Sequence, residues 1–262
     1  IINRYTNNAL EYYHAWYYRL PAFIVTLAGY LWTALLLKQR FAKLINPEVR
    51  HRQTWIWLAV LACMIASPIL LFTLRSRLII GYIKPNVWHN PTFSLLKPFA
   101  LWIFFFILDH WNQQLSLKQW FSLALMTSLS ILAKPNFILS FLPAFALLLL
   151  IQIRSIKNLP WGILSAMIIP AGLTLLYQYL VMYSMNAENQ IYLIPFKAAL
   201  YSAGSAVNMV IFYLLSVLFP LQLSISTFKN VSKQFDFQLV WLNFAIALLT
   251  WILFVELPHM TS

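Results

Sequence analysis

The chain has 262 residues, 61% of them hydrophobic and 9% charged, where a soluble domain is nearer about 45–50% apolar and about 25% charged. Its 18 Lys+Arg against 6 Asp+Glu give a formal charge of +12. The cations punctuate long apolar runs and form no continuous basic face, which excludes an ordinary cytosolic protein and argues against nucleic acid as a partner; they read as the positive loops of a polytopic membrane protein.

The chain opens Ile1-Ile2-Asn3-Arg4 and stops at Thr261-Ser262 directly after an apolar run, so the expectation is one helical domain over residues 1–262 belonging to a longer protein. A membrane helix needs about 20 mainly apolar residues. Leu20–Leu37 qualifies first, and Thr54–Leu74, which holds the single cysteine Cys63, qualifies more strongly. One cysteine excludes a disulfide framework and a thiolate metal cluster. Phe93–Leu108 is interrupted by Lys97-Pro98, and Trp120–Ala133 is short; both fit broken or re-entrant helices. Phe137–Ile153 follows after Lys134-Pro135-Asn136. Then come Trp161–Val181 with Pro170, Ala198–Ile225 broken by Gly204 and Pro220, and Phe237–Val255. These eight stretches predict an all-α, polytopic transmembrane helix bundle rich in interfacial Trp and Tyr.

Alternating loops place ten cations on one side and eight on the other. Lys38–Arg52 carries five of them in fifteen residues, so it is assigned to the cytoplasm, with residues 1–19 and 75–97 outside. Within that loop Arg50-His51-Arg52 reads as a solvated or lipid-facing cation cluster. Asp109-His110, on the same side, reads as a helix-end pair.

The outer face holds the polar residues that call for a reason. In residues 75–97, Pro85-Asn86 and Asn90-Pro91 bracket Val87-Trp88-His89. Residues before proline are pushed toward extended backbone, which predicts a short rigid loop. Arg75, Arg77, Lys84 and Lys97 lie beside it. Guanidinium forks and ammonium point charges suit a phosphate, Trp88 offers a flat face to a sugar or an interfacial lipid, and His89, Asn86 and Asn90 could orient oxygens. The same residues also suit a plain interface loop, with Trp88 anchored at the headgroups and His89 capping a helix. Glu11-Tyr12-Tyr13-His14 before the first span and Glu256-Leu257-Pro258-His259 after the last repeat a carboxylate with a His three residues on, a pattern suited to a general base or a metal-ligand pair. Lys134 either pairs with a phosphate or snorkels to the headgroups.

Several engines are missing. With 5 Gly in the chain there is no Gly-rich phosphate loop, and no His-Glu-x-x-His or paired-Cys site occurs. Neither a nucleotide nor a redox cofactor is expected. All six acids lie near span ends or in loops, which weakens ion-coupled transport.

The stretch Gly81-Tyr82-Ile83-Lys84-Pro85-Asn86-Val87-Trp88-His89-Asn90-Pro91-Thr92, running on to Lys97-Pro98-Phe99-Ala100, resembles bacterial polytopic proteins of the GT-C type, the membrane glycosyltransferases that use polyprenyl-phosphate sugars. Ile131-Leu132-Ala133-Lys134-Pro135-Asn136-Phe137 is similar to a Lys-Pro-containing segment of those proteins. The resemblance implies a helix bundle in the bacterial plasma membrane with an outward-facing, mannosyltransferase-like site, where an acceptor hydroxyl attacks a lipid-phosphate sugar and an acid serves as base, sometimes with a divalent metal. That family carries an Asp motif in its first outer loop, whereas residues 1–19 offer no Asp pair, only Glu11; the motif belongs before Ile1 if the first helix and the start of that loop precede it. Glu11 is the visible candidate base and Glu256 the second, with Arg75, Arg77, Lys84, Lys97 and Lys134 as cations and Asn86, Trp88, His89, Asn90 and His259 completing the substrate side. Two further readings stay open: a non-catalytic subunit binding partner membrane proteins, and a lipid or solute transporter using Lys97, Lys134, Gln178 and Asn208.

Overall fold

The computed structural model describes residues 2–65, 91–153, 158–182, 189–196, 205–211 and 234–258, with the single positions 200 and 222. Among the described residues the regular structure is helical apart from one two-stranded ribbon. It divides into two units: one takes in residues up to 66 together with 87–101, the other residues 67–86 together with 102–262.

In the first unit, α1 (Ile2–Leu44) is a single 43-residue helix, about 65 Å long at 1.5 Å per residue. The stretch before Leu20, expected as an outer segment preceding the first span, is part of this same helix, which continues through Pro21. After Leu44 the chain turns: the Glu48 N–H donates to Asn46 Oδ1 at 3.1 Å, and His51 adopts a left-handed φ of 59°. Arg52, the first residue of α2 (Arg52–Ile65), donates from Nε to the Ile45 carbonyl at 3.2 Å and from Nη2 to the Ala42 carbonyl. It thereby covers carbonyls that a helix end leaves without intrahelical donors. Lys38 of α1 sets its ammonium 5.0 Å from the Trp57 ring of α2.

Helix α3 (Pro91–His110) contributes its first half to this unit and its second half, from Trp102, to the other. Lys97-Pro98, expected to interrupt the third span, lies inside an unbroken 20-residue helix. Proline has no N–H to give the carbonyl four residues back, here Ser94. That carbonyl is met from α1 by Gly29. A Cβ at Gly29 would stand 2.9 Å from the Ser94 carbonyl carbon and closer still to its oxygen, so only a glycine lets the two backbones approach, with a Cα–H aimed at the freed acceptor. Thr33 donates to the Gly29 carbonyl at 2.7 Å, and Trp32 meets Phe99 edge-on at 5.2 Å. A proline that should break the helix is thus tolerated, because a neighbour occupies the gap it leaves.

The second unit is built on α4 (Leu117–Ala133), α5 (Asn136–Ile153), α6 (Trp161–Met182) and α7 (Phe235–Leu253). A capping box opens α4: the Ser116 N–H donates to Gln119 Oε1 at 2.9 Å and the Gln119 N–H to Ser116 Oγ at 3.4 Å. Lys134 closes it in extended backbone, φ −170° and ψ 122°, the conformation its position before Pro135 favours. Helices α4 and α6 run parallel, because their cross-links rise together along both: Trp120 Nε1 donates to Ser165 Oγ at 3.0 Å, and Gln178 Nε2 to the Ile131 carbonyl at 3.0 Å. Pro135 cannot donate to Ile131 either, so Gln178 supplies the missing partner from another helix.

The core gathers Ile103, Ile107, Leu123, Ile131, Phe141, Phe145, Ile163, Met167 and Leu239. Phe235 at the start of α7 stacks on Trp111 at 4.6 Å and meets Phe145 edge-on at 6.2 Å. Strand β1 (Asn189–Leu193) pairs antiparallel with β2 (Phe254–Pro258), which follows α7 directly.

Outside this core the helices are apolar as well. Phe23, Ile24, Leu27, Leu31 and Leu35 of α1, and Ile168, Ile169, Leu173, Leu176 and Leu180 of α6, are exposed. A helix apolar all round is a membrane or deep-core helix. Three are long and apolar enough to cross a membrane: Leu20–Leu44, Asn136–Ile153 and Trp161–Val181. They match the expected first, fifth and sixth spans; Leu117–Ala133 is a shorter apolar helix, as expected for the fourth. The expected seventh span falls almost wholly outside the described residues.

Gln178→Leu is expected to lower thermal stability by about 1–2 kcal/mol, the cost of stranding a backbone acceptor in an apolar layer. Melting in detergent would check it; an unchanged midpoint would show that the Ile131 carbonyl does not depend on Gln178.

Candidate functional site

In an apolar chain, a polar group taken out of water must be satisfied or serve a purpose. Two groups of such residues stand out, one in each unit.

In the first unit, Lys97 lies in the second turn of α3, half-buried, with its ammonium 5.6 Å from the ring centroid of Tyr30 on α1. This is cation–π range. One turn earlier is Ser94, 1% exposed, whose Oγ makes no hydrogen bond. An ammonium, an aromatic ring and a buried hydroxyl therefore collect where Gly29 lets α1 and α3 close up. Lys97 is the member the sequence analysis named. Tyr30, Ser94 and Gly29 were missed, and the signal that could have found Ser94 is Pro98, four residues on.

In the second unit the group lies along α4. Thr127 and Ser130 are both fully buried, and neither hydroxyl makes a hydrogen bond. Thr127 and Ser130 stand at positions i and i+3 on one face of α4, and Lys134 is the residue that caps it. Lys134 is half-buried and gives its backbone N–H to the Ser130 carbonyl at 2.9 Å. Gln178 reaches the last turn of this helix from α6. Ser140, at the start of α5, returns its hydroxyl to the Asn136 and Phe137 carbonyls at 3.2 and 3.1 Å. The end of α4 is thus a polar spot in an apolar bundle, with a cation at its limit and two buried hydroxyls behind it.

The other expected site residues are placed as follows. Glu11 lies in α1, one helical turn before His14. Glu256 lies in β2, opposite Ile191 of β1; a sequence reading gives it no such partner, because the pairing joins segments more than sixty residues apart. Arg75, Arg77, Lys84, Asn86, Trp88, His89, Asn90 and His259 lie outside the described residues. Asp109-His110 is the end of α3, as expected: His110 Nδ1 is 2.9 Å from the Phe106 carbonyl and its ring stacks on Phe106 at 4.4 Å. Of the residues considered for a transport route, Gln178 is committed to the Ile131 carbonyl. The Asn208 N–H is held by Ser205 Oγ at 3.1 Å.

Among the described residues no three His, Cys, Asp or Glu stand close enough together to hold a metal ion. No family model, curated protein or solved structure matches the chain.

Proposed function

We propose that the chain is an integral membrane glycosyltransferase of the GT-C type that moves a sugar from a polyprenyl-phosphate donor to an acceptor hydroxyl at the outer face of the membrane. The observation that carries this reading is Lys97: an ammonium half-buried in an apolar helix pair, beside the Tyr30 ring and one turn from the buried Ser94 hydroxyl. A lipid-linked donor has its chain among apolar helices, and Tyr30 lies midway along the charge-free stretch Leu20–Leu37, so a phosphate that meets Lys97 has been drawn below the outer surface into the helix pair. A cation sheltered from bulk water there is worth far more to a developing phosphate charge than one in solution.

The chemistry follows from the residues. The acceptor oxygen attacks the anomeric carbon, and its proton passes to a carboxylate, Glu11 or Glu256. Along α1 Glu11 stands nineteen residues, about 28 Å, from Tyr30, so Glu11 serves as base only where the phosphate is held by the outer-loop cations and not by Lys97. The bond from the anomeric carbon to the phosphate oxygen breaks, and the electron pair leaves with the phosphate. Lys97 stabilises that charge in the helix pair, and the sequence offers Arg75, Arg77, Lys84 and Lys134 as the other cations for it. Asn86, Trp88, His89 and Asn90 are the residues the sequence offers for holding the sugar, with His259 as a further candidate.

The test is sugar transfer by the full chain in liposomes, with labelled polyprenyl-phosphate hexoses and crude membrane acceptors. His89→Ala is expected to lower transfer at least about tenfold, in the range of a lost positioning or proton-transfer group, with membrane insertion unchanged. Full activity in the variant would remove His89 from the site. No transfer from any donor by folded, inserted protein would favour the reading as a non-catalytic subunit.

A further inference from the structure

We infer that the turn between α1 and α2 is a binding site for anionic phospholipid headgroups, separate from the sugar-transfer site and independent of whether that reaction occurs. It rests on the chain lying in a membrane.

The argument begins with level. Between Leu20 and Lys38 the first span runs eighteen residues without a charge, about 27 Å of helix against a hydrocarbon core of about 30 Å. Lys38 is therefore the first charge past the core on its side. Arg40, Lys43, Arg50 and Arg52 follow within the next fourteen residues, against the single carboxylate Glu48.

The turn holds these cations in place. Arg52 is tied to the Ile45 and Ala42 carbonyls, Asn46 closes a side-chain turn on Glu48, and the carbonyl of His51 accepts from the Thr54 N–H at 2.9 Å. Such a turn needs little ordering when a ligand arrives. Arg50 and His51 are exposed at its tip.

Apolar side chains share the patch, and they select the partner. Leu44 is 67% exposed and Trp55 56%, while exposed Trp57 lies under the Lys38 ammonium. Indoles sit at the headgroup level of bilayers, leucines just below it, and lysine stems can run along either while the ammonium reaches a phosphate. An acidic soluble protein would satisfy the cations and leave Leu44 and the indoles uncovered. A leaflet bearing anionic lipids satisfies all three together.

The experiment places the full chain in nanodiscs of phosphatidylcholine containing a quarter phosphatidylglycerol. Native mass spectrometry then counts the lipids that stay on the protein after release. The parent is expected to retain phosphatidylglycerol above its share of the bilayer. Arg50→Gln is expected to cut that enrichment about fivefold, the effect of one cation near the surface, and Lys43→Gln/Arg50→Gln to cut it further. Arg50→Lys is expected to keep most of it, and raised salt to weaken it. Neither substitution removes Arg52, which anchors the turn, so the helical content of the variants should match the parent. Unchanged enrichment in the double variant overturns the inference. So does a parent that shows no preference for phosphatidylglycerol while binding an acidic soluble protein through this turn.

Discussion

Exchanging Glu11 for Gln is expected to lower sugar transfer by roughly 10²–10⁴-fold, the span measured when a positioned general base is removed. Gln keeps the size and most of the polarity of Glu, so the loss would report the proton acceptor and not the packing of α1. The proposed base stands one turn from His14 on the same helix, and a matched His14→Ala variant separates a base from a base with a helper. Glu256→Gln is the internal control, because that residue lies in β2 and is fixed by its pairing across from Ile191. A large drop in Glu11→Gln beside a small one in Glu256→Gln identifies the base. The reverse pattern reassigns it to the ribbon. Two fully active variants would remove both acids from the chemistry. Single-turnover transfer is the measurement, since it separates the chemical step from lipid exchange.

The second large effect is structural. Gly29→Val is expected to destabilise the first unit by about 1–3 kcal/mol, the usual penalty of forced overpacking. Gly29→Ala should already show part of it. The side chain would run into the backbone of Ser94, and a carbonyl cannot swing aside as a flexible side chain can, so α1 and α3 would have to separate. Separation would also shift Lys97 from the Tyr30 ring, so transfer activity should fall along with the melting midpoint. Equal midpoints for parent and Gly29→Val would show that the close approach contributes nothing. A lowered midpoint with full transfer activity would detach Lys97 from the proposed reaction.

Much of the helix layout can be read from composition, because its cause is local. The expected span from Phe137 to Ile153 and the helix Asn136–Ile153 differ by one residue; a charge-free, mainly apolar run bounded by Lys134-Pro135 leaves little choice. The same holds for Trp161–Met182, whose interior Pro170 did not mislead. The reading failed at Lys97-Pro98, where the relief for the proline comes from Gly29, nearly seventy residues earlier. It also missed the ribbon. Residues 254 and 255 continue the apolar run of α7, and only pairing with Leu193 and Tyr192 turns them into a strand. The site is harder still. Thr127 and Ser130 look like ordinary small polar residues in a helix until their burial is known, and nothing in their spacing distinguishes them from hydroxyls turned toward neighbouring carbonyls.

The pairing of α4 with α6 has a bearing on how the chain is made. Trp120 and the Ile131 carbonyl find their partners 45 and 47 residues later. At about 5–20 residues per second, a ribosome takes several seconds to deliver them. During that interval α4 and α5 exist without α6, and Ile131 faces its surroundings with a carbonyl that Pro135 cannot serve. The wet interior of an insertion channel can hold such a group, whereas lipid cannot. Release of α4 into the bilayer should therefore wait for Gln178, and a nascent chain halted before that residue should remain against the translocon.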